Sequence, residues 1–194
     1  MAAVEWPWQY SFPPFFTIQV HQETRTKQIA AWRNLVLDYH RISKQCVLDV
    51  REAQRSSLFN NTAIDRKLPQ EGIIMILEDL ARTGNAESLD KPKHSLTSKI
   101  KKSNVQQYPV DKYKYRWHIY WHTLEEWADL VYNWVQSCGM TNNVCTLYEI
   151  TDGDNSTDEE FHGLDMEVMV KVLQTLEARS KAELFDDNQG VKFF

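Results

Sequence analysis

The stretch LPQEGIIMILEDL, residues 68–80, recurs in altered form as LDMEVMVKVLQTL at residues 164–176, which is 96 positions later (164 − 68). In both stretches the apolar side chains return at three- and four-residue spacing, and this spacing predicts an amphipathic helix. Pro69 stands at the first position of the helix predicted in residues 68–80, where proline is favoured. A long match at a fixed offset is hard to obtain by chance. The two stretches therefore predict equivalent helices in a duplicated domain.

The sequence before each of these helices repeats as well. Trp32 and Trp127, 95 positions apart (127 − 32), each lie in the apolar stripe of an earlier helix, which is predicted at about residues 24–44 in the first copy. Asp49 and Thr146, 97 positions apart (146 − 49), are each followed by a glutamate three residues later. That spacing is a capping-box pattern and predicts the start of a short second helix. The offset is nearly constant, so each copy is predicted to be a three-helix unit.

Strand-like residues follow the third helix of each copy. In the second copy, residues 183–185 and 191–194 flank the turn-forming residues 186–190, which predicts a β-hairpin. Three helices followed by a hairpin describe a winged helix. We therefore predict an α+β, mainly α, fold of two tandem winged-helix domains, at residues 21–121 and 122–194.

The hairpin of the first copy is predicted to be longer and basic. Eight lysines and arginines lie between Asp90 and Trp121 against one acid, Asp111. Within it, residues 113–121 alternate between an aromatic face and a face with Lys114 and Arg116. This pattern could serve as a stacking platform for single-stranded nucleic acid or as a patch for acidic lipid headgroups. Strict alternation is also what a strand with one buried face requires, and this is the preferred interpretation.

A stretch rich in aromatic residues and proline, WPWQYSFPPFF, precedes the first copy at residues 6–16. Proline fixes φ and biases the residue before it toward extended conformations. The stretch is therefore predicted to form an extended, polyproline-like arm within residues 1–20. Its six aromatic rings could pack onto the domain that follows, but we expect them to form a partner surface, since they are many for one small domain to bury.

Charge and composition exclude several classes of function. The chain carries a formal net charge of −5, and the predicted exposed positions of both third helices are largely acidic, as at Glu78 and Glu177, so DNA binding is not expected. We find no signal peptide and no apolar stretch of membrane-spanning length, so a cytoplasmic protein is predicted. The three cysteines lack CxxC spacing and are expected to be reduced.

No catalytic, cofactor or metal site is predicted. On a strand, His118 and His122 would lie about 13 Å apart, which is too far for two ligands of one zinc ion. The acidic residues 152–160 have Thr157 where a calcium loop needs glycine. They are interpreted as a solvated connection that could be phosphorylated at Ser156 or Thr157. Without a nucleophile motif or a phosphate-binding glycine loop, the chain is not expected to be an enzyme.

Several long motifs resemble one known family. They are EWPWQYSFPPFFTIQ (5–19), SLFNN (57–61), RKLP (66–69), CTLYEITDGD (145–154), DEEFHGLD (158–165) and GVKFF (190–194). Together they resemble the small subunit of the ESCRT-II endosomal sorting complex, over nearly the whole chain. The basic segment at residues 97–116 departs from that family as an insertion.

This resemblance implies a non-catalytic role in sorting ubiquitinated membrane cargo into multivesicular bodies. Two copies of such a subunit join two larger winged-helix subunits, and the second winged helix engages the first helix of an ESCRT-III subunit. The protein would be cytoplasmic and recruited to the endosome membrane, while a nuclear location and a homodimer contact stay open. The arm residues expected to dock onto the larger subunits are Trp6, Pro7, Trp8, Tyr10, Pro13, Pro14, Phe15 and Phe16. The alternative is a nucleic-acid-binding or transcription-associated winged-helix protein.

Overall fold

The computed structural model describes residues 4–90, 115–185 and 189–194. They form two compact units, which we call the N-terminal and the C-terminal unit. The N-terminal unit consists of Val4–Val36 and Val47–Ile119, and the C-terminal unit includes Leu37–Cys46 and Tyr120–Phe194. The C-terminal unit thus takes in the end of the first long helix as well as the whole second copy.

The N-terminal unit contains a three-stranded antiparallel sheet in the order β1-β5-β4 and a separate pair, β2-β3. Its elements are α1 (Gln22–Ser43, of which residues up to Val36 belong to this unit), β1 (Val47–Asp49), α2 (Val50–Ala53), β2 (Asn60–Asn61), β3 (Arg66–Lys67), α3 (Gln70–Arg82), β4 (Ala86–Ser88) and β5 (Arg116–Ile119).

The C-terminal unit also has a three-stranded antiparallel sheet, in the order β6-β8-β7. Its elements are α4 (Leu124–Ser137), β6 (Val144–Thr146), α5 (Leu147–Thr151), a 3-10 turn (Asp154–Ser156), α6 (Met166–Ala178), β7 (Ala182–Phe185) and β8 (Gly190–Phe193).

The two units repeat one winged-helix arrangement, and the predicted mainly α, α+β fold is confirmed. In each, a helix, a strand, a short helix and a third helix precede two strands, and the last strand lies in the middle of the sheet. Strand β6 begins 97 residues after β1 (144 − 47), and β7 begins 96 residues after β4 (182 − 86). The constant offset seen in the sequence therefore reflects a repeated topology.

The predicted capping boxes form in the C-terminal unit. Thr123 and Glu126 cap α4 reciprocally, and Thr146 and Glu149 cap α5 in the same way. Hydrogen bonds from the backbone and hydroxyl of Thr146 lower the pKa of the Glu149 carboxyl. The capping box predicted at Asp49 does not form in full. The Asp49 side chain accepts a hydrogen bond from the backbone N–H of Arg51, whereas a capping box requires a bond from the backbone N–H of Glu52.

The prediction of one buried and one solvated face for the strand at residues 113–121 is wrong for its second half. His118 and Tyr120, on the supposedly solvated face, are 1% and 2% exposed. Tyr120 belongs to the hydrophobic core of the C-terminal unit, so this part of the chain is covered on both faces. Most of the basic segment, residues 91–114, lies outside the described residues.

A residue with left-handed backbone conformation follows each of the helices α3 and α6, but the residue type differs between the two copies. Gly84 has φ 81° and Ser180 has φ 57°. The next residue in each copy, Asn85 or Lys181, donates its backbone N–H to a carbonyl of the last helical turn, at 2.8 Å and 2.9 Å. This is the Schellman pattern, in which glycine is favoured because a Cβ is strained at positive φ.

Ser180→Gly is therefore expected to raise the free energy of unfolding by about 0.5–1 kcal/mol, since it relieves strain at the end of α6. The measurement is urea denaturation of the full chain. Gly84→Ser, the reciprocal change in the other copy, should destabilise by a similar amount. A destabilising effect of Ser180→Gly would show that the serine hydroxyl contributes more than the backbone strain costs.

Candidate interaction surface of the N-terminal arm

The arm is not extended, and this corrects the sequence-based prediction. It folds into two single 3-10 turns, Trp8–Ser11 and Pro13–Phe16, and Pro13 opens the second turn. The fixed φ of proline suits the first position of such a turn as well as it suits a polyproline helix, and the missing N–H costs nothing there. Prolines in the sequence therefore did not distinguish between the two conformations.

Three rings of the arm are core residues of the N-terminal unit. Phe15 stacks on Trp32 of α1 with the ring centroids 4.3 Å apart and an interplanar angle of 5°. Phe16 meets Trp32 edge-on at 5.4 Å, and Tyr10 meets Phe16 edge-on at 5.4 Å. The exposed fractions of Tyr10, Phe15 and Phe16 are 7%, 6% and 2%. These three side chains face their own domain, contrary to the expectation that all eight predicted residues face a partner.

Polar side chains of α1 hold the backbone of the arm. Gln28 is buried, and its Nε2 donates to the carbonyl oxygens of Phe15 at 2.8 Å and Thr17 at 2.9 Å. Its Oε1 accepts from the backbone N–H of Gln19 at 3.1 Å. Trp32 Nε1 also donates to the Phe15 carbonyl oxygen, at 3.0 Å. One buried glutamine thus forms hydrogen bonds with two carbonyl groups and one N–H group of the arm backbone, which lies outside any sheet.

Tyr10 also forms hydrogen bonds within the unit, through its backbone and its side chain. The amide Nδ2 of Asn61 donates to the Tyr10 carbonyl oxygen at 2.7 Å, and the Tyr10 hydroxyl donates to the carbonyl oxygen of Ser57. Both partners lie in the segment after α2. Hydrogen bonds therefore fix the arm backbone at Tyr10 in the first turn and at Phe15 in the second.

Five apolar residues of the stretch at residues 6–16 are exposed, and we call them the exposed arm surface: Trp6, Trp8, Phe12, Pro13 and Pro14. Pro7, which was also predicted to contact a partner, is half-buried. Trp8 is 73% exposed, Phe12 49% and Trp6 38%. The Trp8 and Phe12 rings lie 6.2 Å apart, and Trp6 stacks on Tyr10 at 4.2 Å. Such a cluster of exposed rings is typical of a binding surface. The sequence-based prediction included four of these residues but missed Phe12.

The C-terminal unit also exposes apolar side chains, although no individual residue was predicted there. Val144 on β6 is 59% exposed and Tyr148 on α5 is 65% exposed. Val144 also lines a groove of about 330 Å³, whose walls include Trp134, Met140 and Ile150. Val144 lies on β6, which is an edge strand of the unit's sheet.

Two of the three thiols lack the properties of a nucleophile. Burial raises the pKa of the Cys46 thiol to about 11, and burial also raises the pKa of Cys145. Both groups therefore stay protonated near neutral pH, whereas the thiolate is the reactive form. Neither thiol supports a catalytic interpretation. In the described part of the chain, no helix combines the length and the apolar character needed to cross a bilayer.

The chain is similar to known proteins over nearly its whole length. Residues 9–165 match the family described as ESCRT-II complex subunit. Vacuolar protein-sorting-associated protein 25 of Homo sapiens is 47% identical over 192 residues, which cover 98% of this chain and 97% of the relative. The protein of the same name from Drosophila melanogaster is 41% identical over 196 aligned residues, with complete coverage of both chains.

Solved structures of ESCRT-II proteins also match this chain. The crystal structure of subunit VPS25 of the ESCRT-II endosomal trafficking complex superposes with a TM-score of 0.77 at 26% identity, over 97% of this chain and 98% of that one. A chain in the crystal structure of the endosomal complex ESCRT-II (VPS22/VPS25/VPS36) gives a TM-score of 0.74 at 29% identity, over the same shares. These matches do not favour the nucleic-acid-binding alternative. The resemblance is confirmed, and the chain belongs to the vacuolar protein-sorting-associated protein 25 family of ESCRT-II subunits.

Proposed function

We propose that this protein is a non-catalytic assembly subunit of ESCRT-II that acts in sorting ubiquitinated membrane cargo into multivesicular bodies. It is cytoplasmic and reaches the endosome membrane as part of the complex. The exposed arm surface docks onto the larger winged-helix subunits, and the C-terminal unit recruits an ESCRT-III subunit. The observation that carries this proposal is the 73% exposed Trp8 on an arm whose Tyr10, Phe15 and Phe16 rings are buried in the core.

The anchoring of the arm explains how it can bind with little loss of entropy. Tyr10, Phe15 and Phe16 hold the backbone before a partner arrives, so the exposed rings project from an ordered backbone. A preordered backbone loses little conformational freedom on binding, and aromatic side chains are common binding hot spots. Pro13 and Pro14 add apolar area on a stiff backbone. The buried and exposed halves of the arm therefore have separate roles, anchoring and contact.

The C-terminal unit has features suited to a second partner. Exposed Val144 lines a groove with Trp134, Met140 and Ile150, and these apolar side chains would receive the apolar face of a helix. Exposed Tyr148 adds an aromatic ring four residues after Val144. Two copies of this chain in one complex would place two such surfaces near each other. A partner bound at one would then meet the other at high effective concentration, which favours nucleation of an ESCRT-III polymer.

Trp8→Ala is expected to weaken binding to the larger ESCRT-II subunits by about 2 kcal/mol, or roughly thirtyfold in Kd, because it removes an exposed aromatic anchor. Isothermal titration of the purified chain into the complex of the two larger subunits measures this effect.

Val20→Ala is the matched control, since Val20 is 93% exposed in the same unit but lies outside the exposed arm surface. It should leave the affinity unchanged. Both variants should unfold at the wild-type temperature. Wild-type affinity in the Trp8 variant would remove the arm from the assembly interface.

A further inference from the structure

The segment between α5 and α6, Asp152–Glu160, places an unusual set of charges around a hydroxyl group. Thr157 is followed by an acid at each of the next three positions, and no other serine or threonine of the sequence has this context. Asp154, Asp158 and Glu160 are exposed, and Glu160 Oε2 also lies 3.0 Å from His122 Nε2. Protein kinases select acceptors partly by such charge patterns around the hydroxyl. The neighbouring Ser156 is the alternative acceptor, and the structure separates the two.

Ser156 is inaccessible. Its side chain is 0% exposed, and its Oγ lies 2.9 Å from both the Gly153 carbonyl oxygen and His162 Nδ1. A kinase could reach this hydroxyl only if the segment unfolded. Thr157 is exposed, and its Oγ1 makes a surface hydrogen bond to the Asp154 carbonyl oxygen at 2.9 Å. Rotation about χ1 is enough to release it.

Other hydroxyl groups of the C-terminal unit with an acid three residues later lack either a free hydroxyl or the run of acids. Ser180 precedes Glu183, but its next residue is Lys181 and Glu183 is the only acid among the next three positions. The hydroxyl groups of Thr123 and Thr146 are already engaged. The hydroxyl of Thr123 donates to Glu126 Oε2 at 3.1 Å, and that of Thr146 donates to Glu149 Oε2 at 2.9 Å. Their downstream glutamates are therefore parts of capping boxes and not free recognition elements. Thr151 is 0% exposed.

The acidic segment is fixed to the unit at several points, so its charges have defined positions. The backbone N–H of Gly163 donates to the Thr151 carbonyl oxygen at 2.7 Å, and Trp134 Nε1 donates to the Asn155 carbonyl oxygen at 3.3 Å. Gly153 approaches the carbonyl oxygen of Glu149 so closely that any Cβ there would clash. The segment presents the Thr157 hydroxyl and its acidic neighbours outward on this scaffold.

We propose that Thr157 is a phosphorylation site for an acid-directed serine/threonine kinase. The γ-phosphoryl group of a nucleoside triphosphate passes to Thr157 Oγ1. The bond from the γ-phosphorus to the bridging oxygen breaks, the nucleoside diphosphate leaves, and the hydroxyl proton is released. This inference concerns a modification of the C-terminal unit and does not depend on the proposed role of the arm.

The new phosphate would act through local repulsion. It carries about −1.5 to −2 charges at pH 7 and lies beside Asp154 and Asp158, while the hydroxyl bond to the Asp154 carbonyl oxygen is lost. We expect a lower midpoint of thermal unfolding for the modified chain. The decrease should shrink at high salt, because screening weakens repulsion between exposed charges.

The test incubates the purified chain with casein kinase II and magnesium-ATP and locates the phosphate by mass spectrometry. The expected result is one phosphate, on Thr157, with incorporation reduced at least about tenfold in Thr157→Ala because the acceptor is gone. Thr157→Ser and Ser156→Ala should both still be modified at position 157.

Asp158→Asn provides a second variant that keeps the acceptor. It should slow incorporation at least about threefold, since it removes one recognition charge, and it should leave the circular dichroism spectrum unchanged. Phosphate on Ser156, undiminished incorporation in Thr157→Ala, or no incorporation into the wild-type chain would each overturn the proposal.

Discussion

Replacement of Phe16 by alanine is expected to lower the free energy of unfolding of the N-terminal unit by about 3–5 kcal/mol, the usual cost of removing a buried phenylalanine ring. Phe16 is 2% exposed, and its ring contacts those of Tyr10, Phe15 and Trp32. The change leaves a cavity among three aromatic rings that cannot collapse freely. Urea denaturation followed by circular dichroism measures the effect.

Phe12→Ala is the matched control, because it removes the same ring four residues earlier from a site that is 49% exposed. It should change stability by no more than about 0.5 kcal/mol. Equal effects of the two changes would show that the arm does not belong to the core. If Phe16→Ala unfolds the unit and Phe12→Ala does not, the cause of lost partner binding can be assigned. Loss of binding in a Phe16 variant would then result from unfolding, whereas loss of binding in a Trp8 or Phe12 variant would result from a lost contact.

The second large effect is expected in the C-terminal unit, where Phe161→Ala should also destabilise by about 3–5 kcal/mol. Phe161 is 0% exposed and belongs to the hydrophobic core of that unit. Its ring meets Trp134 edge-on at a centroid distance of 5.3 Å and an angle of 71°. Removal of the ring takes away both the buried apolar area and this aromatic pair. Hydrogen exchange of peptides from α6 measures the loss within the unit.

Tyr148→Ala is the control for this second change. It removes an aromatic ring from the same unit, but from a side chain that is 65% exposed. Exchange of the α6 peptides should stay close to wild type. If Phe161→Ala were equally mild, the segment before α6 would not contribute to the core. The Thr157 proposal would then lose the fixed scaffold on which it depends.

Local patterns were sufficient for the repeated architecture. The apolar stripe of residues 68–80 predicted α3, and its repeat at 164–176 predicted α6. The Thr-x-x-Glu patterns at Thr123 and Thr146 predicted the starts of α4 and α5. Helix periodicity and capping depend on residues within one or two turns of each other. Such features can therefore be read without knowledge of the tertiary contacts.

The sequence alone determines the tandem winged helices and a short arm whose backbone is restricted by proline. The burial of individual side chains in the candidate sites depends instead on residues far apart in the sequence. Which rings of that arm are buried was decided by Gln28 and Trp32 of α1, and which hydroxyl of the acidic segment is accessible was decided by His162 and the turn at Gly153. A 3-10 turn is too short for its apolar residues to show a period, and two adjacent hydroxyls look equivalent in sequence. Burial depends on what packs against a side chain, and only the tertiary structure brings those partners together.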